Sequence, residues 1–511
     1  MRICFFLPAN CASQCLTCNL QKIPKAFLQI YMQYKLLYNS LMKYFLKKSL
    51  LSCLILSCMG GVCLSNDITD DYYDIAQNYY KEGNKTKALE YVNQILNIEK
   101  DNVQALGMKI KLTPPTMSKK LVDIDKPLIF EVPYVSTGNA SSDAFYTKGL
   151  NHYRVKDYTT AEESLKASIQ AKPDNFRAYN TLGLVYWAQN KVDEAKAAFT
   201  KSNAINQTYT IPLDNLAQIY KQIGDYERCS AILLKASSLN QNDFCTYLLL
   251  GDYYRDTDDY DNALNSYREV IKINPKYHLA FYKIAKLKSD NMDFSGSNET
   301  LNYYLSKNPQ DDFAYYLMAK NYVFMHDFNK AKGSIYKAIL MSNCREYREE
   351  LGRINYKNED IQEALEAFNS TLNLDTSAET YNYIGMCYYN LHDFNKAIFN
   401  INKAISKPDA RVLYYYNLAQ IYASLRDNTN YSRYMELVKN FQPVKWQDYI
   451  DLSGIMLDSE SKNSAILVLN QGIEKYPKVK ELYIEKLKIY DLTNDIQGVG
   501  QTKLEMENVF K

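Results

Sequence analysis

A small residue returns about every 34 positions through most of this chain, and no other sequence feature constrains its fold as strongly. Gly149, Gly183, Ala217, Gly251, Ala285 and Ala319 are each 34 apart. Two steps of 33 lead on to Gly352 and Gly385, and steps of 34 to Ala419 and Ser453. Twelve positions after nearly every one comes a second small residue: Ala161, Ala195, Cys229, Ala263, Ser297, Ala331, Ala364, Ala397 and Ala465, with Tyr431 the exception. Apolar side chains flank the first landmark at helical spacing, as Tyr247, Leu250, Gly251 and Tyr254 do at i, i+3, i+4 and i+7. Each period is therefore two helices joined by a tight turn. Antiparallel helices pack closest where side chains are smallest, which explains one small residue on each. A third landmark keeps the same phase: Asp157, Asp225, Asp259, Asp293, Asp327, Asp360 and Asp393, each followed by an aromatic or aliphatic residue. An aspartate there caps the free N–H groups of the second helix and matches its dipole. No single hairpin buries its apolar face alone, so stability comes from stacking.

The stretch Tyr247, Leu250, Gly251, Tyr254, Ala263, Tyr267 and Pro275 resembles the tetratricopeptide repeat family, as do Tyr179, Leu182, Gly183, Tyr186, Ala195 and Phe199. The resemblance covers residues 142–511 as about eleven units, with one more at 69–102. The unit near Ala285 is weak, with Lys288 and Ser297 at consensus positions. The last, 480–511, is a degenerate capping repeat with Leu487 and Val499 at its small positions. The resemblance implies an all-α, right-handed superhelical solenoid of antiparallel helix pairs, its concave face lined by the first helices.

Nearly half of the 511 residues are hydrophobic, which excludes a disordered chain. Sixty basic against 58 acidic residues leave a net charge of +2, so nothing global points to nucleic acid. Seven of the eleven cysteines lie at or before Cys63. Cys11, Cys15 and Cys18 have no second ligand pair at zinc-site spacing. From Met42, Lys43, Lys47 and Lys48 precede a short apolar run, Ser49 to Cys58, and then Gly60, Gly61 and Ser65. That is the anatomy of a secretory signal, and glycines interrupt the run before the roughly 18 residues a membrane span needs. Residues 42–65 are thus a signal peptide, with an uncleaved anchor or lipidation at Cys58 as alternatives. Residues 1–41 are then an upstream extension foreign to the native protein. A hairpin follows over 69–112. Residues 113–141 lose the helical period, carry Pro114, Pro115, Pro127 and Pro133, and form a linker with a short strand-like run, Leu128-Ile129-Phe130. The solenoid proper is 142–479.

No catalytic arrangement is present: there is no P-loop, HExxH or GxSxG, and Gly498-Val499-Gly500 lacks the third glycine of a nucleotide loop. His326 and His392 head an identical string, HDFNKA, two repeats apart. That spacing implies about 20 Å, from helix separations of about 8–10 Å, so they are expected to be turn residues copied with their repeats. Cys229 holds a small-residue packing position and is expected to be a buried thiol. No cofactor is implied.

The family resemblance places ligand-facing positions on the first helices. Here they are Tyr146, Tyr153, Arg154, Arg177, Trp187, Lys221, Arg255, Tyr282, Lys283, Lys286, Tyr316, Lys320, Arg353, Tyr356 and Lys357. Asp214, Asp252, Asp256, Asp290, Glu349 and Glu350 share that face, and Asp451, Asp458, Glu481, Glu485 and Asp491 turn its far end acidic. The carboxylate clamp of chaperone-binding members is missing, and Asn215 and Asn417 form no asparagine ladder. The expectation is a non-catalytic scaffold that binds a protein or peptide in the groove and serves cell-envelope assembly in the periplasm. It makes no nucleic-acid contact and meets the membrane only through residues 42–65. A docking or regulatory subunit for a separate enzyme, or a glycan- or peptidoglycan-contacting envelope protein, is the alternative.

Overall fold

The computed structural model describes residues 64–114, 136–373, 376–459 and 461–509. The extension 1–41, nearly all of the signal segment and the run Leu128-Ile129-Phe130 lie outside the described residues. Every regular element described is a helix, and none is long and apolar enough to cross a membrane.

The chain divides into two units between Lys100 and Asp101. In the first, α1 (Leu64–Lys81) and α2 (Lys85–Ile98) form a hairpin. Gly83 takes the left-handed φ of 78° that its turn needs, and the Asn84 side chain caps α2 by accepting from the Lys87 N–H. Tyr79 and Tyr91 stack across the pair at 5.8 Å.

The second unit begins with α3 (Val103–Leu112) and continues as eleven antiparallel pairs. These are α4 (Ala140–Arg154) with α5 (Tyr158–Ala171), α6 (Phe176–Ala188) with α7 (Val192–Ile205), α8 (Ile211–Gln222) with α9 (Tyr226–Leu239), and α10 (Phe244–Asp256) with α11 (Tyr260–Ile273). Next come α12 (Leu279–Asp290) with α13 (Phe294–Lys307), α14 (Asp312–Phe324) with α15 (Phe328–Met341), and α16 (Arg345–Lys357) with α17 (Ile361–Asn369). The remainder are α18 (Ala378–Asn390) with α19 (Phe394–Ile405), α20 (Val412–Ser424) with α21 (Asn428–Lys439), α22 (Trp446–Ser459) with α23 (Lys462–Lys475), and α24 (Lys480–Leu492) with α25 (Ile496–Val509).

One turn geometry joins most of these pairs, and the recurring aspartate serves it twice. The residue after the first helix's C-cap takes a positive φ, as Lys156, Asp258, His326 and His392 do at 57–64°. The next backbone N–H then reaches back to a carbonyl of the first helix, as Asp259 does to Tyr254 at 2.8 Å and Asp393 to Tyr388 at 2.9 Å. The same aspartate's side chain accepts from the N–H three residues on and opens the second helix. Asp360 departs from this scheme. It makes no capping bond; its Oδ2 accepts instead from Lys332 of the preceding pair at 2.7 Å and from Asn358 at 2.5 Å. His326 and His392 are the left-handed residues of their turns, as the repeat of HDFNKA implied.

The small landmarks mark where a large side chain crosses over. A Cβ on Gly251 would lie 2.4 Å from the Tyr267 ring, and one on Gly183 2.6 Å from Phe199. Gly251→Ala is therefore expected to destabilise the fold by about 1–3 kcal/mol through overpacking. Gly454, mid-helix in α22 with nothing within 4 Å of such a Cβ, should gain about 0.5–1 kcal/mol on the same change. Denaturant midpoints of the two variants check this; equal shifts would remove steric contact as the reason for the period.

First helices of neighbouring pairs touch one another at most steps, from α4 and α6 to α22 and α24, whereas neighbouring second helices make no comparable contact. The second unit is thus a curved solenoid with its first helices inside. Among the described residues helix α3 is paired with no second helix of its own, and it packs against α15.

Candidate partner-binding face

All fifteen candidate side chains stand on the inward helices α4, α6, α8, α10, α12, α14 and α16. They do not form a single open surface. Tyr146 is buried among Ala161, Leu165, Ala178 and Leu182. Tyr282 is buried beside Leu301 and Met318, its ring 6.0 Å from Tyr304. Tyr153 and Trp187 are half-buried at the edge of one cluster, that of Leu184, Phe199 and Leu216. The Trp187 indole N–H donates to Gln222 Oε1 at 3.0 Å, and Arg177 lies 5.0 Å from the Phe176 ring.

Alternating charges cross three helices at the centre of the face. Lys221 on α8 reaches Asp256 at 2.5 Å. Arg255 donates to Asp256 Oδ1 through Nε at 3.0 Å and Nη2 at 2.8 Å. Asp252, one turn back on α10, accepts from Lys283 of α12 at 2.8 and 3.0 Å and from the Tyr267 hydroxyl at 2.6 Å. Burial, then the neighbouring Asp252, holds the Tyr267 phenol well above its ordinary pKa. Lys221 and Lys283 are thus matched by carboxylates of an adjacent repeat, and Arg255 by those of its own helix.

The next stretch repeats the scheme with rings. Tyr316 lies 5.0 Å from Tyr347, with the Lys320 ammonium 5.7 Å from its centroid. Arg353 joins Glu350 at 3.1 Å to Glu379 of α18 at 3.0 Å, and Tyr356 meets Tyr383 edge-on at 5.5 Å. Lys286 is half-buried, while Arg154 and Lys357 are exposed. Of the acidic far end, Asp451 is held by Arg411 and Asp458 accepts from the Tyr416 hydroxyl at 2.5 Å.

Two features escaped the sequence. Asparagines do pair between first helices, in two isolated rungs: Asn215 donates to Asn180 at 3.2 Å and Asn417 to Asn382 at 2.9 Å. The partners sit 35 residues apart, one position out of phase with the repeat, so comparison at equal positions does not reveal them. The other is Asp214, fully buried on α8. Burial, then Asp243, pushes its carboxyl well above the usual range, although Thr246 donates to Oδ1 at 2.9 Å. Its Oδ2 has no hydrogen-bond partner among the described residues. Cys229 is a buried free thiol, pushed up to about 11 by burial.

Family profiles agree with the hairpin geometry. Profiles described as tetratricopeptide repeat match residues 146–205 and, in a second version, 72–102, 213–243 and 378–406, and one described as TPR repeat matches 251–290. The hairpins within these stretches are tetratricopeptide repeats. A TPR repeat-containing protein of Methanocaldococcus jannaschii is 23% identical over 161 residues, which is 29% of this chain and only 27% of that relative's length. A tetratricopeptide repeat protein from Parabacteroides merdae, of solved structure, is 20% identical with a TM-score of 0.35, covering 55% of this chain and 98% of its own. YrrB, described as a TPR protein with an unusual peptide-binding site, is 15% identical with a TM-score of 0.30, over 35% of this chain and 93% of its own.

Proposed function

We propose that this protein is a non-catalytic scaffold that binds a segment of another protein along the first-helix face from α4 to α18. The repeat class supports a protein-interaction role. One observation shapes the rest of the proposal: three cations of the face, Lys221, Lys283 and Arg353, are paired to carboxylates of neighbouring helices, Asp256, Asp252 and Glu379. A charge-balanced face with half-buried rings at its edge favours shape, ring contact and hydrogen bonding over long-range attraction. Affinity should accordingly depend little on salt. The proposed site is the candidate set of first-helix residues without the buried Tyr146, Tyr282 and Lys283, with Tyr153 and Trp187 as its anchors.

A photocrosslinking residue at position 187, compared with one at Leu467, which is 60% exposed on second helix α23, tests the face in native cells. Capture from 187 and not from 467 supports it; equal capture from both sinks it. Once a partner is in hand, Tyr153→Ala with Trp187→Ala should weaken binding about thirtyfold or more, the loss of one anchoring side chain of about 2 kcal/mol. The melting temperature should change little. Unfolding with unchanged affinity per folded molecule would reassign both residues to packing.

The envelope location belongs to the same proposal and rests on the signal-like anatomy of residues 42–65. Sequencing the N-terminus of the mature protein decides it: a start at Met1 with residues 1–65 retained overturns export.

A further inference from the structure

Helix α3 is followed by no second helix among the described residues, and it packs where its position in the repeat order does not place it. Its Gly107 faces the Tyr336 ring of α15: a Cβ there would lie 3.1 Å from Cε2 and Cζ and 3.2 Å from the hydroxyl. One turn away the relation is reversed, and a Cβ on Gly333 of α15 would lie 3.2 Å from Val103 Cγ2. Glycine on each partner thus lets the two backbones approach closely. Ion pairs close the two ends of α3, Asp101 to Lys337 of α15 at 2.5 Å and Lys111 to Glu366 of α17 at 3.4 Å. Those partners are largely exposed apart from Lys337, and such pairs contribute little. Close packing at the glycines therefore holds α3 on α15 more than the ion pairs do.

What α3 bridges is the least regular part of the stack. The repeat slips from 34 to 33 residues between Ala319 and Gly352 and again to Gly385. Helix α17 has nine residues where the other second helices of the solenoid have twelve to fourteen. Its aspartate cap is diverted to Lys332 of α15. With one end on α15 and the other on α17, α3 lies across this junction.

We propose that the second-helix face of α15 and α17 is a docking surface for this chain's own helix α3, which splints the pairs α14–α15 and α16–α17 at a fixed angle. The groove residues on either side of that joint, Tyr316 and Lys320 on α14 and Arg353 and Tyr356 on α16, are held in register by it. Undocking of α3 loosens α17 and with it the spacing of those side chains.

Amide hydrogen exchange on the full chain tests this with Gly107→Leu and Gly333→Leu, one on each partner. Leucine raises helix propensity over glycine at both sites, so faster exchange cannot come from weakening either helix. Each variant should speed exchange of residues 103–112 and of 361–371 about five- to thirtyfold, the factor for one or two kcal/mol. Faster exchange confined to 103–112 overturns the splint. No change in either variant, or an α3 that exchanges without protection in the unmutated chain, overturns the docking itself.

Discussion

Asp252→Ala is expected to cost about 3–5 kcal/mol, the range for removing one partner of a buried ion pair. Asp252 is 8% exposed and Lys283 only 3%. The carboxylate accepts two bonds from the Lys283 ammonium and one from the Tyr267 hydroxyl. Alanine leaves that buried ammonium without its carboxylate and the phenol without its acceptor. Asp252→Leu with Lys283→Met should recover most of the loss, because replacing both members of a buried pair by apolar groups of similar volume is often neutral or better. Urea unfolding of the single and double variants measures both effects. A single variant within 1 kcal/mol of the parent would mean that water reaches this pair and the core of repeat 244–273 is open. The outcome also bears on recognition. If the pair is costly to break, a bound segment cannot recruit Lys283 as a free cation, and the candidate face works through its rings and exposed rims.

Asp214→Asn is expected to change how stability depends on pH. Burial holds the folded pKa of Asp214 well above the unfolded value, which is about 3.9. A raised acid is bound to its proton in the folded chain and has lost it in the unfolded one. Its stabilisation is therefore complete below the unfolded pKa and is lost as pH rises toward the folded pKa, by about 1.4 kcal/mol per pH unit. Asparagine keeps the oxygen that accepts from Thr246 and has no proton to lose. The variant should match the parent near pH 4 and exceed it increasingly at higher pH. Denaturant midpoints from pH 4.5 to 8 read this directly; parallel curves for parent and variant would show that Asp214 is solvated or paired when charged.

Much of the fold was legible because the repeat states the same local physics many times. The small landmarks, the aspartate caps and the helical spacing concern residues within one hairpin, and each copy confirms the others. The His326 and His392 turns belong to this class, as does the buried thiol of Cys229. The candidate face was legible only in part. Phase placed all fifteen residues on inward helices, but phase carries no information on which rings sink into the core, and Tyr146 and Tyr282 did.

The sequence by itself determined the all-α hairpin array and its number of units, since these follow from spacing and from the need to bury one face; which helix of each pair faces inward came only with the family resemblance. The tertiary structure decided the contacts that depend on distance between neighbours rather than on position within a repeat. Asp360 caps nothing and accepts from Lys332 of the neighbouring pair. Asn215 meets Asn180 one position out of phase. Lys221, Lys283 and Arg353 meet carboxylates one repeat away. The docking of α3 on α15 lies furthest from sequence, because α3 carries no local mark of the distant glycine and tyrosine it meets.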